Sequence, residues 1–396
     1  MSSGHLPCLQ HNLYGGAIGQ PRAILSPMPF KPLLGLLVGT VAGCGNPSLV
    51  RILVQMDTVG HIEVLDVSTN IDDFTEVRGA VAQLWSDVEI EIDATITAVD
   101  RGGSRESFVS HPRAVSANWV VDGDVAIATD FESLSMLTAY AHLEAAAMFF
   151  NALHVATTSE PTPVYFHPTL AVAVPDSYPT SDNATYFPEA DGFIILPMLT
   201  YREVPFAMNR GVLAHEMAHR IFYYEFFAGE LFATLEQHRM TPGAKSNWQR
   251  IRATDEGVAD FFGAAIAHDP QFLSPSVPDD VANARRLDRT RILDPAWVAG
   301  DEPTANGEYL PYLPGAVVAA ALWQIAQLTD VETVSLALIA AQRDLAAQIR
   351  DTFTYRFGEL EAAVVENLPA NHRTAACTVL SQSHTAAWAY LASSCP

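Results

Sequence analysis

Apolar positions along the 396-residue chain change their period about a third of the way in. Up to residue 128 the pattern suits strands. Leu49–Met56 and His61–Val67 read as extended segments, and Val88–Val99 alternates Ile, Val, Ala and Thr with Glu and Asp. Trp119–Val121 and Val125–Ile127 flank Asp122-Gly123-Asp124, a hairpin signal because Gly and Asp tolerate the positive φ of a tight turn. From Thr129 the spacing becomes helical. Thr129-x-x-Glu132 has the form of a capping box, and a helix over Phe131–His154, rich in Ala, Leu and Met, should follow. Five prolines between Pro161 and Pro179 break the next stretch, leaving short strands at Val164–Phe166 and Ala171–Val174. Asp191–Pro197 reads as one more strand, placed alongside a cleft. The apolar run Val204–Phe227, free of proline after Pro205, predicts a long helix. A short helix over Glu230–His238, a polar loop over Thr241–Gln249, a helix over Ile251–His268 and a loop over Pro270–Pro278 come next. Arg285–Asp301 is rich in Arg and Asp and reads as solvated. Helical segments at 315–329, 331–349, 357–367 and 371–393 close the chain.

Composition bounds the class. With 49% hydrophobic and 17% charged residues, the chain can build a core. Its net charge is −23, without a Lys/Arg stripe, which argues against nucleic acid as a partner. Lys31 precedes an apolar run from Pro32 to Gly43. That run is too short to span a bilayer and suits the core of a signal peptide. Its end, Val41-Ala42-Gly43-Cys44, resembles the lipobox of bacterial lipoproteins, in which the Cys becomes the lipidated first residue. The alternative is an apolar strand that ends in Cys. On the first reading, residues 1–43 are an upstream extension plus signal peptide. The mature chain is then exported and held by a lipid anchor at Cys44 to the membrane of the cell envelope, with Gly45 after the Cys favouring the outer membrane. Cys377 and Cys395 would then form a disulfide, worth roughly 3 kcal/mol by chain entropy, or else remain buried thiols.

The chemistry concentrates at His215-Glu216-Met217-Ala218-His219. On a helix, positions four apart share a face, so two imidazoles there can hold one Zn²⁺ at about 2.0–2.1 Å. Glu216 then sits beside the metal without being a ligand, where it can take a proton from an activated water. The competing reading is an amphipathic helix with two solvated histidines, which the apolar neighbours Val212, Leu213, Phe222 and Tyr223 oppose. A catalytic zinc wants a third protein ligand, and Glu256 in Thr254-Asp255-Glu256-Gly257-Val258-Ala259-Asp260 is the candidate.

Here the sequence resembles the gluzincins, the thermolysin-like and fungalysin-like metallopeptidases, whose second active-site helix carries Asn-Glu-x-x-Ser-Asp. The resemblance implies Glu256 as ligand and Asp260 as the carboxylate that orients a zinc-bound His. Asn183-Ala184-Thr185-Tyr186, the helix at 131–154 and Gly315–Gln324 resemble further family segments, so about half the chain is covered. Departures are Asp255 for Asn, Ala259 for Ser, a longer gap after His219, and Tyr312 where the family has an oxyanion-steadying His. A Tyr312 hydroxyl can donate the same hydrogen bond, Tyr309 lies nearby, and both can instead pack on a Pro-rich loop. The implied fold is α+β, with a β-rich region at 44–128 and a zincin-like metallopeptidase domain with a helical C-terminal lobe at 129–396. The implied activity is zinc-dependent endopeptidase hydrolysis of a peptide or protein substrate. The rival is a surface lipoprotein that keeps the zinc site only to bind or to stabilise.

Overall fold

The structure is a computed structural model and describes residues 47–55, 62–92, 109–110, 112–157, 160–172, 181–200, 203–299, 304–305 and 308–395. The signal-like segment and Cys44 lie outside the described residues, as does the second half of the strand expected over Val88–Val99.

Alternation in the first third produces β1 (Leu49–Gln55), β2 (Ile62–Ser68), β3 (Ile71–Asp73), β4 (Arg78–Gly79), β5 (Ala82–Ser86), β6 (Glu89–Ile92), β7 (Val109–Ser110), β8 (Arg113–Ala114), β9 (Trp119–Asp122) and β10 (Val125–Ala128). The predicted hairpin is β9–β10, with Gly123 at φ 66°. Helix α1 (Phe131–Ala152) follows, then β11 (Thr162–Phe166), β12 (Thr169–Val172), β13 (Ala184–Phe187) and β14 (Gly192–Ile195). Strands from both sides of α1 share one sheet, in the order β13-β14-β11-β5-β4-β3. β11 lies parallel between β14 and β5, and its Val164, Tyr165 and Phe166 are all buried, as a central strand requires. β13 is the antiparallel edge. The strand expected beside the cleft was Asp191–Pro197, yet that segment is β14, one position inward. The edge itself is Ala184–Phe187.

Helices dominate after residue 209: α2 (Arg210–Phe227), α3 (Leu231–His238), α4 (Ala244–Ala267), α5 (Asp279–Arg285) and α6 (Pro295–Ala299). A small hairpin, β15 (Thr304–Ala305) and β16 (Glu308–Tyr309), leads to α7 (Tyr312–Leu328), α8 (Val331–Thr352), α9 (Glu359–Asn367), α10 (Ala370–Ser383) and α11 (Trp388–Leu391). The fold is therefore α+β. No helix among the described residues is long and apolar enough to cross a membrane.

Several boundaries move for local reasons. The cap of α1 is Asp130, whose carboxylate accepts from the Ser133 amide at 2.7 Å, in place of Thr129 one position earlier. The run from Val204 starts with a 3-10 turn at Phe206–Met208, and α2 begins only after Asn209. The Asn209 side chain accepts from Gly211 and Val212 and donates to Phe272 O and Ser276 Oγ, which fixes the 269–278 loop against the start of α2. Residues Lys245–Gln249, part of the loop expected over Thr241–Gln249, form the first turns of α4, with Trp248 packed against the core. Arg285–Asp301 is not simply solvated, because Leu287 and Leu293 are fully buried. The last expected helix divides at His384, whose ring turns inward to Glu361 at 2.9 Å. A disulfide joins Cys377 to Cys395, Cα atoms 5.8 Å apart.

Candidate metal centre

Helices α2 and α4 cross over an apolar core and face each other with their charged positions. α2 presents His215, Glu216 and His219. α4 presents Asp255, Glu256 and Asp260. The crossing is held close by a third helix. A Cβ on Gly257 would lie 2.5 Å from the Gly315 carbonyl oxygen of α7, and one on Gly315 would lie 3.1 Å from Glu256 Cβ. Glycine at both positions lets the backbones touch and sets where Glu256 leaves its helix.

Three side-chain atoms converge. Nε2 of His215 and Nε2 of His219 are 3.0 Å apart, and Oε2 of Glu256 lies 3.6 Å from the first and 3.8 Å from the second. A point equidistant from these three corners lies about 2.0 Å from each, which is the bond length a zinc ion takes to N and O donors. Oε2 of Glu256 is buried and accepts no hydrogen bond among the described residues. The Arg285 guanidinium is the cation beside it, with Nη2 3.5 Å from this oxygen and 3.4 Å from His215 Nε2. It makes no hydrogen bond to the carboxylate, so the oxygen keeps a lone pair for a metal ion facing the two imidazoles. The donor set thus fits a metal, and His215, His219 and Glu256 form the group of the described residues that could hold one.

Each histidine is backed by a carboxylate. Nδ1 of His219 meets Asp255 Oδ1 at 2.8 Å. Nδ1 of His215 is 3.1 Å from Asp260 Oδ1, close enough for a charge contact though off the hydrogen-bond direction. Such contacts fix the ring orientation and leave Nε2 pointing inward. Burial alone would lower the pKa of His219, but the Asp255, Glu256 and Glu216 carboxylates outweigh it and push it up to about 10. Burial would raise Asp260, yet the Arg285 guanidinium beside it holds it down to about 2.

Glu216 lies off this triangle. Its Oε2 accepts the Tyr186 amide of β13 at 2.7 Å, and its Oε1 is 4.0 Å from His215 Nε2. Burial raises its pKa against the pull of both histidines. A cavity of about 570 Å³ opens beside it, lined by Val212, His215, Glu216, Leu273, Arg285 and Tyr312 among others. Tyr312 is the first residue of α7, with its ring 4.7 Å from the guanidinium carbon of Arg285. The negative charge of Glu256 pushes its hydroxyl pKa up, so it stays protonated as a donor although the ring is part exposed.

Two residues here escaped sequence reasoning. Asp255 read only as a departure from Asn, although a carboxylate at that position serves as the partner of His219. Arg285 read as solvated. It donates to both oxygens of Asp260, at 2.6 and 3.1 Å, and its Nη2 lies 3.5 Å from Glu256. Nothing in its local pattern distinguishes it from Arg286, which pairs with Asp288 at the surface.

Neither a protein-family model nor a curated protein matches the chain. Among solved structures it is similar to the precursor of protealysin, a metalloproteinase from Serratia proteamaculans. The two share 12% sequence identity over 75% of this chain and 87% of that one, with a TM-score of 0.42.

Proposed function

We propose that the chain is a zinc-dependent metallopeptidase, with His215, His219 and Glu256 as metal ligands and Glu216 as the proton-transfer group. The observation that carries this reading is the triangle of three donor atoms with Glu216 held just outside it. When bound, zinc would act as a Lewis acid that polarises a carbonyl and makes water a better nucleophile. The residues do the rest. The Tyr186 amide occupies Oε2 of Glu216 and leaves Oε1 on the donor side. Oε1 takes the proton of the attacking water, and the same carboxyl then protonates the departing amine. Tyr312 donates its hydroxyl hydrogen to the oxygen on which charge develops. The edge strand β13 runs beside Glu216 and can pair with an extended peptide.

The test is Glu216→Gln. The variant should bind zinc like the wild type and lose at least a thousandfold in turnover on a casein or peptide panel. A variant that stays active would sink the mechanism. A wild type that binds zinc without cleaving any peptide would favour the binding-only rival.

We further propose export and lipid anchoring at Cys44. The Cys377–Cys395 disulfide supports the export, since such bonds persist in oxidising compartments, and the anchor rests on the Val41–Cys44 pattern alone.

A further inference from the structure

We propose that Asp191 and Arg220 form a clamp that positions Glu216 through Tyr186. This rests on the reading of Glu216 as the proton-transfer group. Asp191 is the corner between β13 and β14, in a left-handed conformation at φ 41°. Asp is one of the few side chains that enters this region readily. Its carboxylate accepts four hydrogen bonds. Arg220 donates from Nε to Oδ1 at 2.8 Å and from Nη2 to Oδ2 at 2.9 Å. The Tyr186 hydroxyl donates to Oδ1 at 2.9 Å, and the Tyr224 hydroxyl donates to Oδ2 at 2.8 Å. The remaining arm of Arg220 donates to Thr157 O, in the segment after α1. The Arg220 guanidinium also stacks 4.9 Å from the Tyr224 ring.

The connections close a ring. Arg220 and Glu216 are four residues apart on α2, one turn above each other on one face. Tyr186 bridges them: its amide holds Glu216 Oε2, and its hydroxyl reaches Arg220 through Asp191. β13 is thereby fastened to α2 at two points one turn apart. Slippage of the strand along the helix would break both. Arg220 is buried but the Asp191 side chain is 41% exposed, and an ion pair open to solvent on one side adds little net stability, so stability alone does not account for the arrangement. Its geometric effect is specific, because it fixes the height of one amide. Tyr186 and Arg220 touch no metal-ligand atom, so their effect reaches the site through Glu216.

The full-length chain with Asp191→Asn tests this. The variant keeps the shape and loses the charge and two acceptor sites. Amide exchange at Tyr186 should speed up about tenfold while that of Phe193 and Ile194 stays unchanged. Bound zinc should stay within about twofold, and kcat should fall about 10- to 100-fold with KM nearly constant, as small misplacements of a catalytic group do. Tyr224→Phe removes a single, part-exposed hydroxyl and should show the same pattern at a few-fold, so the idea remains testable should Asp191→Asn fail to fold. Unchanged Tyr186 exchange together with unchanged kcat overturns the clamp. So does uniform loosening of β13 and β14 with zinc loss, which marks a mere brace. If the wild type hydrolyses nothing, the exchange data still decide the clamp, and only the peptidase reading fails.

Discussion

Asp255 and Asp260 stand five residues apart on α4, and each backs a different histidine. Removing the charge of Asp255 while keeping its shape should weaken the hold on His219 more than on His215. Asp255→Asn is expected to lower zinc affinity by about 10- to 100-fold, the usual effect of losing such a partner, in a chelator competition assay. Tyr312→Phe should act differently. Zinc content and KM should stay, and kcat should drop about a hundredfold, the scale of one lost oxyanion donor. A raised KM with kcat unchanged would assign Tyr312 to substrate binding instead. The residues most legible in the sequence pair at a spacing of four, His215 with His219 on α2 and Glu256 with Asp260 on α4. Spacing puts each pair on one face of its helix, and Glu216 is legible from its place inside the HExxH pattern. Asp255 is adjacent to a ligand and breaks that period. Arg285 arrives from a separate short helix, and only tertiary packing brings it to Asp260.

At the level of elements, the Gly257–Gly315 contact is the most constrained joint near the site. A Cβ on Gly257 would also lie 2.7 Å from Val318 Cβ, a distance that packed atoms do not adopt. Gly257→Ala should therefore cost about 1–3 kcal/mol in a denaturant melt, in the range of overpacked core substitutions. It should also weaken zinc binding, since Glu256 is the next residue on the helix. Normal zinc affinity in a destabilised variant would show that α7, and not α4, gives way. Long helices were readable because apolar spacing persists for several turns, as in α1 and α2. Their starts were less so. The start of α4 carries only Ala244 and Trp248 as apolar residues among Lys245, Ser246, Asn247 and Gln249, and so sparse an apolar signal reads as loop until the neighbouring elements are known. The edge strand was misplaced by one element for a related reason: β13 and β14 both carry apolar residues, and pairing order is not written in either.

For the molecule as a whole, acid is the expected weakness of the C-terminal helices. Glu361 of α9 and His384 after α10 are both buried and paired at 2.9 Å. Burial by itself would raise the Glu361 pKa, but the charge of His384 and the hydrogen bond outweigh it, so the pKa lies below the usual value. A depressed carboxyl contributes stability that is present above the unfolded-state pKa, near about 4.3, and is lost as pH falls through the folded value. Glu361→Gln should flatten the decline of stability below about pH 4.5, read from urea melts at several pH values. The sharing of one sheet by β5 and β11 was not legible, because parallel partners eighty residues apart leave no local trace.

The backbone contact between α4 and α7 has one more consequence. Glu256 adjoins it on one side, and Tyr312 opens the same helix that supplies Gly315 on the other. A shift that carries both helices would link filling of the cavity at Tyr312 to loading of the Glu256 carboxylate, and the proposed function makes that coupling an expected outcome. Linkage is reciprocal: whatever factor a bound metal adds to peptide affinity, a bound peptide must add to metal affinity. A peptide that resists cleavage should slow the escape of the ion to a chelator.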